Sequence, residues 1–97
     1  MSELGKHIKE LRRGVGLSQK KAVELFGIRH SQFLSNIEMG RRLPPMSLLS
    51  KMCEVYKVHP DEVWPKYLTE VQTIAAEKAL RKWKLHTDRL VRAANGN

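Results

Sequence analysis

Two polar clusters in this 97-residue chain could do chemistry, and both point to hydrogen bonding with a polyanion. The first is Ser18-Gln19-Lys20, at the front of one helical pattern. The second is Ser31, Gln32, Ser35 and Asn36, at the front of the next. Side-chain amides pair bidentately with adenine edges, and hydroxyls serve either base type. A helix N-terminus with short polar side chains suits a phosphate. Gln32 and Asn36, with Ser31, are therefore candidate base readers. Ser18, Gln19, Lys20 and Ser35 are candidate backbone contacts. Arg41 and Arg42 follow the second cluster and are placed to reach flanking phosphates.

Such readers need two short helices held at a fixed angle, and the flanking residues supply them. Ser18 is an N-cap, with Leu17 before it and an apolar face from Ala22, Val23, Leu25 and Phe26. Gly27 ends that helix, and Ile28 can tuck into the core. The next helix is predicted from His30 or Ser31 to about Met39, with Leu34 and Ile37 inward at i, i+3. Phe33 lies between its two faces. Gly40 to Pro45 reads as a loop, with the prolines barring continuation.

The remaining elements read as support. A first helix should begin after Ser2, carry an inward stripe of Leu4, Ile8, Leu11 and Val15, and end at Gly14 and Gly16. Lys6, Lys9, Arg12 and Arg13 fall off that stripe, and Lys6, Arg12 and Arg13 are expected to be solvated charges. Met46 to Tyr56 carries the broad stripe Leu48, Leu49, Met52, Val55 and Tyr56. A short helix over 59–64 follows, with Pro60 in its first turn and Pro65 closing it. From Lys66 to Ala94 neither Pro nor Gly intervenes, so this stretch is either one helix or two, the second capped by Thr87. Residues 95–97 should fray. No strand-like alternation is present.

These punctuation points resemble a known family. Leu17-Ser18-Gln19, Gly27-Ile28, Leu34-Ser35-Asn36-Ile37-Glu38, Gly40-Arg41-Arg42 and Pro44 are similar to the lambdoid-repressor and Cro type of helix-turn-helix, the XRE family. The resemblance covers about residues 4–64. It implies an all-α fold with a five-helix repressor-like bundle over 1–65; the C-terminal third is unmatched and is read from its own residues as a long C-terminal helix over 66–97. It also implies a DNA-binding regulator without catalysis, bound as a homodimer to a near-palindromic operator of double-stranded DNA. On the family's pattern Gln19 matches the phosphate clamp, and Ser31, Gln32 and Asn36 match base contacts. His30 matches the preceding cap position, and Arg41 and Arg42 the basic residues beyond the helix.

Two departures stand out. Val23 occupies the place of a usual small Ala. Eleven positions also separate Gly27 from Glu38, where the family usually has ten. We place the extra residue in the turn, around Arg29. The alternative puts it near Phe33-Leu34, with Phe33 in the core, and turns Ser31 and Gln32 by about 100°. Glu38 leans inward and is expected to pair with a basic side chain at the end of the helix.

Composition bounds the rest. The chain has 18 Lys+Arg against 10 Asp+Glu, a net charge of +8, which favours nucleic acid as partner over an anionic membrane surface. The excess divides evenly, with net +4 in residues 1–65 and net +4 in residues 66–97. Cys53 stands alone, so no internal disulfide can form, and it is expected to be a small buried residue. No apolar run has the length of a membrane span, and a cytoplasmic protein is expected. The four histidines show no metal-ligand spacing, and no cofactor is implied.

The C-terminal stretch admits three readings. It packs back on the bundle, pairs with its own copy, or extends the DNA footprint through Lys78, Arg81, Lys82, Lys84, Arg89 and Arg92. Dimerisation through Val71, Ile74, Ala75, Ala79 and Trp83 is the reading we favour. A repressor is the expected sign of regulation. An antitoxin that gives this helix to another protein is the alternative.

Overall fold

Serine caps open the first two helices in the computed structural model, which describes residues 2–95. The Ser2 hydroxyl accepts from the Gly5 amide at 3.1 Å and opens α1 (Glu3–Gly14). The Ser18 hydroxyl accepts from the Lys21 amide at 3.1 Å and opens α2 (Gln19–Phe26). Then come α3 (Ser31–Glu38), α4 (Met46–Val55) and α5 (Pro60–Asn95). All five elements are helices, so the expected all-α class holds.

The C-terminal caps of α1 to α4 share one hydrogen-bond pattern. After α2, Gly27 sits at φ 68°, its amide donates to the Glu24 carbonyl, and the Ile28 amide donates to the Val23 carbonyl. This crossed pair is the Schellman arrangement, which requires a left-handed residue. The same pattern ends α4, but there Lys57 occupies the left-handed position at φ 57°.

The core draws on every helix. Leu4 and Ile8 of α1 meet Ala22 and Phe26 of α2, Leu34 and Ile37 of α3, Leu49 and Met52 of α4, and Val63 and Tyr67 of α5. Phe26 and Tyr56 meet edge to face, with ring centroids 5.7 Å apart. Cys53 is buried, as expected. Two residues assigned to inward stripes are not inside: Val15 lies beyond the last turn of α1 and Leu25 is about half exposed. The α1–α3 crossing is the tightest. A Cβ built on Gly5 would stand 2.6 Å from the Ile37 carbonyl oxygen and 2.7 Å from that of Glu38.

The C-terminal half corrects one expectation and decides between two alternatives. Pro65 does not close a short helix. It is the sixth residue of α5, which runs on unbroken to Asn95. Proline there removes one amide that would have bonded the Asp61 carbonyl. The helix tolerates this loss because its start is well fixed. The His59 imidazole accepts from the Asp61 amide, and Val63 and Tyr67 anchor the first turns in the core. Nor does Thr87 cap a new helix. Its hydroxyl donates to the Trp83 carbonyl at 2.9 Å, a bond made within a continuing helix. Beyond Val71, which packs on the core, α5 projects from the bundle, and the molecule measures 61 Å in its longest dimension. Gly96 and Asn97, which were expected to fray with Asn95, lie outside the described residues.

Candidate nucleic-acid interface

The leading face of α3 follows from its buried one. Leu34, Ile37 and Glu38 are buried, which fixes the helix rotation. At 100° per residue, Gln32 and Asn36 then point directly away from the core, with Ser31 and Ser35 to one side and Phe33 to the other. Phe33 is only partly buried, which fits an extra residue in the Gly27–His30 turn. Gln32 Nε2 donates to Asn36 Oδ1 at 3.1 Å. That bond joins two amides and leaves Gln32 Oε1 as an acceptor and Asn36 Nδ2 as a donor for other partners. The Ser35 hydroxyl donates to the Met39 thioether at 3.7 Å. His30 sits at the N-cap of α3, and its side chain makes no capping bond.

The basic residues flank this pair. Arg41 and Arg42 are exposed in the loop that follows α3. The Arg42 guanidinium lies over the Phe33 ring, 4.6 Å from its centroid, so the ring that straddles the two faces of α3 orients that arginine. Lys20 is exposed at the start of α2.

Behind the interface, one buried cluster ties three helices together. Arg12 Nε donates to Glu38 Oε2 at 2.7 Å, and Arg12 Nη2 to Glu38 Oε1 at 3.0 Å. Arg12 Nη1 also donates to the Leu17 carbonyl at 2.7 Å, just before α2. Gln19 Nε2 donates to Glu38 Oε1 at 3.0 Å. Arg12 belongs to α1, Gln19 opens α2, and Glu38 ends α3. The hydrogen bond to Glu38 raises the Arg12 pKa above its ordinary value. Glu38 thus has the basic partner expected of it, whereas Arg12 is not the solvated charge its position suggested. The missed signal was spacing: Leu4, Ile8 and Arg12 fall on one i+4 line. Gln19 faces the cluster with one amide hydrogen and keeps its carbonyl and second hydrogen for other contacts.

A helix-turn-helix domain model matches residues 3–64. The chain belongs to the XRE type of helix-turn-helix family. The matched span runs from α1 into the start of α5 and includes α2 and α3, the helices that carry the two polar clusters. The chain is 44% identical over 52 residues to the HTH-type transcriptional regulator PuuR of Escherichia coli strain K12, and equally to that of Shigella flexneri. Those matches cover 54% of this chain but only 28% of PuuR. It is 33% identical over 87 residues to the HTH-type transcriptional regulator ImmR of Bacillus subtilis strain 168, covering 84% of this chain and 68% of ImmR. No solved structure matches. Among the described residues, no helix is long and apolar enough to cross a membrane.

The five residues expected to form a dimer stripe do not share one face. Steps of four residues drift around a helix of 3.6 residues per turn. Val71 packs on the core, and Ile74 turns toward the groove beside Ser2 and Met39. Ala75, Ala79 and Trp83 point away from the bundle, and Trp83 is 65% exposed.

Proposed function

We propose that the chain is a sequence-specific, DNA-binding transcriptional regulator that represses as a homodimer on a near-palindromic operator. The observation that carries this is the outward Gln32–Asn36 amide pair, flanked by Arg41, Arg42 and the N-terminus of α2. In this reading α3 lies in the major groove, with Ser31, Gln32 and Asn36 at base edges. Ser18, Gln19, Lys20, His30, Ser35, Arg41 and Arg42 contact phosphates and fix the register. Residues 1–65 bind DNA, and residues 66–97 bring two copies together. Repression follows from occupying a promoter, and the protein works in the cytoplasm. The net charge of +8 supports the encounter with DNA.

Selection of bound sequences from a random duplex pool tests this. One enriched motif with two-fold symmetry is expected. Retention of the whole pool without enrichment would leave only a non-specific binder. A second reading rests on the exposed Trp83, Leu85 and Leu90 of α5. In it, the helix serves another protein, as in an antitoxin. Copurification of a small protein that is lost on removing residues 66–97 selects that reading.

A further inference from the structure

One side of α5, from its rooted first turns to its projecting end, is self-complementary about one residue. The positions along it are Trp64, Leu68, Gln72, Ala75, Ala79, Trp83, His86, Leu90 and Ala94, all exposed, with Trp64 also bordering an apolar groove against Met46 and Leu49 of α4. Their spacings read the same in both directions from Ala79. An antiparallel second copy with its two-fold axis at Ala79 sets Trp83 against Ala75, Leu68 against Leu90, Gln72 against His86 and Trp64 against Ala94. Large faces small at both ends, an apolar pair faces its like, and an amide faces an imidazole. The three-four-four spacing is an 11-residue repeat, which keeps such a stripe nearly straight along an α-helix.

Charge points to the same occupant. Between Val63 and Ala94, every Lys, Arg, Asp and Glu falls within an arc of about 160° at 100° per residue. The remaining arc of about 200° holds none, and it contains the stripe from Leu68 onward, with Trp64 at its edge. For a segment of net +4, meeting its own copy through the uncharged face keeps like charges apart. An acidic partner would instead seek the charged arc.

We infer that α5 pairs with α5 of a second copy, antiparallel and centred on Ala79, and so sets the distance between the two DNA-reading bundles. This rests on the homodimer reading above and adds its register. Val63, Tyr67 and Val71 root each helix in its bundle, and their midpoint lies twelve residues from Ala79. The two roots then stand about 36 Å apart along the helix axis. Half-sites one turn of DNA apart are separated by about 34–36 Å.

Cysteine cross-linking of the full chain tests the register, with the wild type, whose Cys53 is buried, as control. On oxidation, Ala79→Cys should run at twice the subunit mass. Leu68→Cys and Leu90→Cys should each stay single and cross-link only when mixed. Self-linking of all three variants means parallel pairing and overturns the inference. A chain that sediments as a dimer yet links at none of these sites also overturns it and leaves the homodimer standing. A wild-type chain that sediments as a monomer, with and without operator DNA, removes the homodimer itself.

Discussion

Arg12 grips Glu38 with two nitrogens, at 2.7 and 3.0 Å, across 26 residues of sequence. Their side chains are 7% and 1% exposed. Because Gln19 and the Leu17 carbonyl join the same cluster, the pair fixes the angle between the start of α2 and the end of α3. A buried ion pair gains little over apolar residues of similar volume, but either partner alone is costly to leave uncompensated.

Arg12→Met should therefore destabilise the fold by about 3–5 kcal/mol in urea denaturation. Adding Glu38→Leu to that variant should restore much of the loss. If the double variant were as unstable as the single one, packing rather than charge would be the source.

Gln32→Ala should weaken operator binding by about 1–3 kcal/mol and relax preference at one base position. It also frees Asn36 from its partner, so a small second change at a neighbouring position is expected. Competition binding against single-base operator variants reads both effects. An unchanged preference at every position would remove Gln32 from the reading face.

Arg41→Ala should weaken binding to all sequences alike and lower the magnitude of the salt slope by about one. Affinity measured across a salt series separates this from base reading. In that case the loss would be sequence-selective and the slope would stay intact.

Tyr56 gives a pH dependence. Burial, with Glu38 nearby, holds its hydroxyl well above the ordinary tyrosine value of 10.0. The unfolded chain releases that proton first. Stability from this residue is therefore full below about pH 10 and falls as the pH rises further. Tyr56→Phe should flatten the alkaline decline in thermal midpoint above about pH 10. Parallel declines in both proteins would assign the effect elsewhere.

The features legible in the sequence were those set by neighbouring residues. Ser18, Gly27 and Gly40 mark helix ends through bonds spanning a few residues, and the Leu34–Ile37 spacing oriented α3 correctly. The features missed depend on contacts distant in sequence. Arg12 looked like a surface charge because its partner stands 26 residues away. Pro65 looked like a stop because proline usually is one, but the core anchors on either side of it, Val63 and Tyr67, carry the helix through. Val15 and Leu25 are apolar at helical spacing, yet a bundle this small has no second layer to cover them. At the site, the exposed positions of Ser31 and Gln32 followed from the pattern. The Gln19 bond to Glu38 and the Arg42 stack on Phe33 did not, since both join separate elements.

The unbroken passage of α5 through Pro65 makes the helix a ruler whose zero mark is fixed in the core. Each residue added beyond Tyr67 would lengthen it by about 1.5 Å and rotate its far end by about 100°. An insertion of eleven residues would preserve its outward bearing while moving the tip about 16 Å. Spacing along this arm is thus counted in residues, and only whole sets of turns conserve its heading.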